Sequence, residues 1–215
     1  MTKSLLISIQ PQHLLNILNG DKTYEVRKVV PKWVLEALDR GETVEAYLYC
    51  TKGKPIVARY DSQVFLDDIW IDGDYLYEIT DKNDKSARYF INGTIPVKVV
   101  IDGYKHLKWG RWVNQETFSY RGFSYEHNEI VNQSCLTDKQ LEDYGDLKKL
   151  YFLHISKVEI LDEVMKLHDF VSDKLIVTVC GDEPKCYSDT AQYFARKDQV
   201  LKRPPQSFMT VWVKS

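Results

Sequence analysis

The feature that most constrains this chain lies in its first thirty residues, where strand, helix and strand follow one another with three ionisable side chains set into the join. Leu5-Leu6-Ile7-Ser8-Ile9 reads as a short apolar strand. Pro11 to Asn19 reads as a helix, with proline in the first turn, where its missing N–H would be unpaired anyway. Leu14, Leu15, Ile17 and Leu18 give that helix an apolar stripe, and Gly20 supplies the left-handed stop. Lys22, Glu25 and Arg27 then fall on a second strand that ends before Pro31. Glu25 and Arg27 are two apart and so share a face. Two readings of that trio are open. In one, a Glu–Arg ion pair fixes the helix–strand corner and the lysine is solvated. In the other, Arg27 offers a bidentate fork to a phosphate or base edge, Glu25 accepts from an exocyclic amine, and Lys22 adds a point charge.

The remaining sequence supplies strands and short helices to hold this stretch. Pro31 opens a second helix through Trp33, Val34, Leu35, Ala37 and Leu38, closed by Gly41, and Thr43 to Cys50 alternates as a core strand. Thr51-Lys52-Gly53-Lys54-Pro55 is a turn. Val57–Tyr60, Val64–Ile71 and Tyr75–Ile79 are short strand-like runs, with Asp72-Gly73-Asp74 as a hairpin signal and Asp81 to Lys85 as a polar loop. Ile95 to Ile101 is strongly β-forming, and Pro96 within it marks an edge, a bulge or a strand start. From Asp102 to Ser134 the pattern loosens. There Trp109, Arg111, Trp112, Phe118, Tyr120, Arg121, Phe123 and Tyr125 interleave aromatics with cations, which suits base stacking or, the preferred reading, an aromatic loop lidded by arginines. Thr137 to Gln140 is a capping box for a helix reaching about Tyr144. Leu150–Ile155 and Val158–Leu161 are strands, Val164–Phe170 a short amphipathic helix, Leu175–Cys180 an apolar run, and Phe208–Val213 a closing strand. Strands dominate and no linker interrupts them. The expectation is one α+β domain over residues 1–215, a mixed β-barrel with short helices at its rims and insertions at about 56–92 and 102–134.

Charge and cysteine content exclude several classes. A net charge of -2 argues against a protein that coats nucleic acid through bulk positive charge. The charge is uneven, however: residues 1–60 carry nine Lys/Arg against six Asp/Glu, and residues 61–100 carry four against eight. Cys50, Cys135, Cys180 and Cys186 form no Cys-x-x-Cys pair, so reduced thiols in a cytoplasm are expected, with no metal and no cofactor. No apolar run reaches the ~20 residues of a membrane span. His154 reads as a hydrogen-bonded core histidine, and His13, His106, His127 and His168 have no nucleophile placed beside them by any motif.

Gly20-Asp21-Lys22-Thr23-Tyr24-Glu25-Val26-Arg27-Lys28, preceded by Leu6 to Pro11, resembles the Gly-x-Lys-x-x-Glu-x-Arg motif of the ASCH domain. Tyr49-Cys50-Thr51-Lys52, Cys135-Leu136-Thr137 with Tyr151 to Ile160, and Arg203 to Phe208 resemble, in the same order, long ASCH proteins common in bacteriophages. The resemblance implies a PUA-like barrel that binds RNA or a modified nucleotide. It places Lys22, Glu25 and Arg27 in the cleft, Thr51 and Lys52 at its rim, and Gln206 and Ser207 on the closing segment. Two alternatives stay open beside it. One is a small hydrolase of a modified nucleoside or of RNA, with Lys22 and Glu25 catalytic; acetylcytidine amidohydrolases of this superfamily need threonine where Glu25 stands, so their mechanism does not transfer intact. The other is a phage-encoded module, in the host cytoplasm, that contacts a host protein.

Overall fold

The computed structural model describes residues 2–60, 64–66, 69–71, 75–79, 87–108, 111–113, 118–119, 125–145, 149–172, 176–179, 192–195, 201 and 203–213. The first half runs β1 (Thr2–Ile9), α1 (Pro11–Leu18), β2 (Tyr24–Arg27), α2 (Lys32–Asp39), β3 (Val44–Cys50), β4 (Ile56–Tyr60), β5 (Val64–Leu66), β6 (Ile69–Ile71), β7 (Tyr75–Ile79), β8 (Ala87–Phe90) and β9 (Ile95–Lys108). The second runs β10 (Arg111–Val113), β11 (Phe118–Ser119), α3 (Tyr125–Gln133), α4 (Asp138–Gly145), β12 (Leu150–Met165), β13 (Phe170–Ser172), β14 (Ile176–Val179), β15 (Gln192–Ala195) and β16 (Phe208–Val213). Glycines in the left-handed region follow both early helices, Gly20 at φ 81° and Gly41 at φ 74°. No helix among the described residues is long and apolar enough to cross a membrane.

Seven strands pair in the order β2-β12-β9-β3-β1-β16-β13, β10 adds to the C-terminal part of β9, and β11 adds to β10. Only β1 and β3 run parallel in this sheet, joined through α1, β2 and α2. The architecture is α+β, a mostly antiparallel sheet with a few short helices. Among the described residues the pairing ends at β2, β11 and β13, so the ring closure of the expected barrel is not part of it. Leu5, Ile7 and Ile9 of β1 face the main core with Leu14, Leu15 and Ile17 of α1 and Val34 and Leu38 of α2. Leu6 packs on the other face with Tyr47, Tyr49, Phe170 and Val211. Both faces of β1 and β3 are covered, which is why they read as nearly unbroken apolar runs. A third core joins Tyr24 and Val26 of β2 and Phe152 of β12 to Ile130, Val131 and Leu141 of α3 and α4.

The long β9–β12 ribbon corrects the sequence reading in three places. β9 runs on to Lys108 where the pattern was expected to loosen after Ile101, and Pro96 sits near its start. Val158–Leu161 is not separate from Leu150–Ile155, because β12 is one strand of 16 residues with register shifts. The helix expected at Val164–Phe170 is absent: Met165 still pairs with Ile95, and only Leu167–Asp169 form a 3-10 turn. Seven residues nucleate a helix poorly, and here an available partner strand takes their hydrogen bonds instead. The capping box is as expected, with Thr137 N–H donating to Gln140 Oε1 at 2.8 Å and Gln140 N–H to Thr137 Oγ1 at 3.2 Å. Asp72-Gly73-Asp74, Asp81 to Lys85, Trp109, Tyr120, Arg121, Phe123, Cys180 and Cys186, for which the sequence carries expectations, lie outside the described residues.

One shift matters for the site. His154 pairs with Gly103 and Ile155 with Ile101, leaving Asp102 as an extra residue on β9. Val97, Val99 and Ile101 face the main core, and unbroken alternation would send Tyr104 and His106 to the opposite face. The bulge inverts the phase, so Tyr104 packs against the same core as Ile101 while Leu107 joins the third core. Asp102 Oδ1 meets His154 Nδ1 at 2.6 Å across the bulge. His154 is therefore hydrogen-bonded as expected, but it is partly exposed rather than a core residue.

Phe152 is fully buried and is the centre of the third core, so Phe152→Ala is expected to cost about 3–5 kcal/mol in chemical denaturation. A loss below about 1 kcal/mol would mean that α3 and α4 do not pack on the sheet as described.

Candidate functional site

The three charged residues of the first stretch meet in one buried cluster. Lys22 stands in the turn before β2 rather than on the strand, with its N–H donating to Asn16 O at the end of α1. Its side chain is 2% exposed; Nζ donates to Ser134 O at 2.7 Å and lies 3.4 Å from Glu25 Oε2. Ser134 follows α3, so the cation sits where the carbonyl end of that helix favours positive charge. Glu25 is bridged on its other oxygen by Arg27, whose Nη2 is 2.8 Å from Oε1. The same nitrogen donates to Ser8 O at 2.7 Å. Ser8 in turn ties β1 to the segment before β16: its hydroxyl donates to Pro205 O at 2.6 Å and its N–H to Ser207 O at 2.9 Å.

Sequence reasoning missed His13. It lies on α1 beside the cluster and feels the charges of Lys22, Glu25 and Arg27. No spacing rule points to it, because the contact arises only when α1 folds back across β2. His13 Nδ1, Thr23 Oγ1 and Arg27 Nε are buried and have no hydrogen-bond partner among the described residues. Burial and the neighbouring Lys22 push the His13 imidazole below its ordinary range, against the weaker pull of Glu25, so it is neutral near pH 7. Burial opposes ionisation of Glu25, yet Arg27, Lys22 and His13 outweigh it and hold the carboxyl below the usual range. Two cations thus share one carboxylate in a space almost closed to water.

The other expected site residues stand around this centre with different degrees of attachment. Ser207 is joined through its carbonyl to Ser8, and Thr51 N–H donates to Ile9 O at 2.9 Å. Gln206 is exposed between two residues that Ser8 holds. Lys52 is exposed, and its stem runs beside Gly93, where an added Cβ would lie 3.2 Å from Lys52 Cε. A groove of about 340 Å³ is elsewhere, at the N-terminal end of β1, lined by Lys3, Trp33, Glu36 and Arg40 among others. Its geometry does not converge on the charged cluster.

The cluster continues along the sheet as a row. Arg27 pairs with Tyr151, and Tyr151 pairs with His106 on its other side; Glu25 pairs with Leu153, and Leu153 with Tyr104. Directly opposed residues share a face, so Arg27, Tyr151 and His106 lie side by side across three strands. The rings of Tyr104, His106 and Tyr151 form a half-buried triangle with centroids 6.1–6.3 Å apart. Lys149 Nζ lies 4.5 Å from the Tyr151 centroid, and Tyr104 OH donates to Asp39 Oδ1 at 3.0 Å.

No protein-family model matches the chain, and no curated protein matches it. Two solved structures that it resembles are ASCH proteins. One is ASCH from Zymomonas mobilis, at 12% identity and a TM-score of 0.43, covering 76% of this chain and 73% of that one. The other is the Y47F mutant of the same protein, at 12% identity and a TM-score of 0.41, covering 77% of each chain.

The two depressed groups fix a pH response. For each, the unfolded chain takes up a proton before the folded chain does, so stability present at neutral pH is lost on acidification. The thermal midpoint is expected to fall as pH drops below 6.5, where unfolded His13 begins to protonate, and to fall again below 4.5 through Glu25. His13→Gln should flatten the first fall and leave the second. An unchanged profile in that variant, followed by calorimetry, would contradict the placement of His13.

Proposed function

We propose that the chain is a binding module for RNA or a modified nucleotide, held in a recess around Lys22, Glu25 and Arg27. The observation that carries this reading is the buried excess of positive charge beside unpaired groups of both kinds. Lys22 and Arg27 face a single carboxylate, Arg27 Nε offers a donor, and His13 Nδ1 and Thr23 Oγ1 add polar atoms without partners. Leaving such groups buried and unpaired costs about 1–3 kcal/mol each, a cost that a ligand with acceptor oxygens and a ring N–H or amine would remove. A nucleobase edge or a phosphate has that chemistry. The motif from Gly20 to Arg27 supports the same conclusion through its resemblance to the ASCH domain and the PUA-like barrels. Thr51, Lys52, Gln206 and Ser207 make the rim in this reading, with Gln206 free to turn its amide to a base edge.

Binding is favoured over hydrolysis by the state of Glu25. A carboxylate bonded to two cations and held below its usual range is a weak proton acceptor, which suits a grip better than a general base. The test is affinity measured by calorimetry and fluorescence anisotropy for a random ten-nucleotide RNA pool and for nucleotides. Arg27→Lys keeps the charge and removes the planar fork, so binding should weaken about tenfold or more. It should also weaken with added salt. Equal affinity of Arg27→Lys and the wild type would contradict the reading.

A further inference from the structure

We infer that the row Arg27–Tyr151–His106, with Tyr104 behind it, is a second subsite that stacks an unpaired nucleobase adjacent to the one held at the charged cluster. This rests on the reading given above and specifies its ligand as a single-stranded segment of at least two nucleotides. Each step along the row is one strand spacing, about 4.8 Å, so Tyr151 is the immediate neighbour of Arg27 and His106 the next.

Three observations converge on an aromatic ligand. The rings of Tyr104, His106 and Tyr151 stand 6.1–6.3 Å apart on one sheet face and are only half buried. Tyr104 and Tyr151 pack against the main core, and the Tyr104 hydroxyl is anchored on Asp39, so the platform has little freedom to lose on binding. Lys149 Nζ lies over the Tyr151 ring and Arg27 is the cross-strand neighbour of Tyr151, which brings two cations to the platform for the phosphates that join two nucleotides. The acids on this side are already engaged, Glu25 by Arg27 and Lys22 and Asp39 by the Tyr104 hydroxyl. Rings flanked by cations are how single strands are held without reading sequence, since every base has a face to stack. A duplex would not fit this use, because its base faces are covered.

The experiment compares affinities for the random ten-nucleotide RNA pool and for the four mononucleotides. Tyr151→Leu keeps an apolar packing partner and removes the ring, and His106→Ala removes the second ring. Each should lower the ratio of oligonucleotide to mononucleotide affinity about five- to hundredfold, while Tyr151→Phe, which keeps the ring face, should preserve the ratio. A wild-type protein that binds both probes, with the same ratio in Tyr151→Leu and His106→Ala, would overturn the second subsite and leave the first reading standing. A wild-type protein that binds neither probe would overturn both.

Discussion

The extra residue at Asp102 decides which side chains can meet on the sheet. β9 and β12 form the longest pairing in the described structure, and β2, with Glu25 and Arg27, pairs with one end of it. Strict alternation would leave Tyr104 and His106 on the face opposite Ile101, with α3 and α4, and the face carrying Glu25 and Arg27 would keep Tyr151 of β12 without the two rings of β9. The bulge restores them to that face, and the Asp102–His154 contact at 2.6 Å spans the irregular step. The same ribbon carries Leu153 between Glu25 and Tyr104, so the charged cluster and the rings are two parts of one surface.

Burying two cations and one carboxylate is expensive, with effective desolvation of several kcal/mol per ion. The structure offsets part of that with good partners. Lys22 is met by Ser134 O at the end of α3, Arg27 by Ser8 O, and Glu25 by both cations. The bonds also tie together four distant parts of the chain, since Ser8 reaches Pro205 and Ser207, and Lys22 reaches across 112 residues to Ser134. What the partners do not cover is Arg27 Nε, His13 Nδ1 and Thr23 Oγ1. A cluster built only for stability would close on itself, because a hydrophobic replacement of similar volume is often as stable. Unspent hydrogen-bonding capacity beside a net positive charge is the physical basis for the proposed ligand.

Local signals in the sequence carried the early elements well. Pro11, Gly20, Pro31 and Gly41 bound α1 and α2 because proline and glycine act through backbone conformation, which needs no tertiary partner. Thr137 and Gln140 cap α4 for the same reason. The charged trio was legible as a cluster, and its burial was not: the spacing of Glu25 and Arg27 shows a shared face, but only the packing of α1, which brings His13 to the cluster, shows that the face is covered. His13 stayed hidden because its partners arrive from β2 across a turn. The Val164–Phe170 segment was misread as helix since its apolar spacing fits both periods, and the pairing of Met165 with Ile95 decides between them. No local pattern joins Tyr104, His106 and Tyr151, because a bulge cannot be read from alternation that it breaks.

The central claim is that a ligand enters the charged cluster and uses its unpaired groups. The direct measurement is a nitrogen-15 NMR titration of the protein with the mononucleotides, following the Arg27 Nε–H and the His13 ring. Both signals are predicted to shift and saturate together as the ligand binds, with Lys22 and Glu25 neighbours moving in step. Saturable shifts confined to Trp33 Nε1 and the groove around it, with Arg27 and His13 unmoved, would contradict the account.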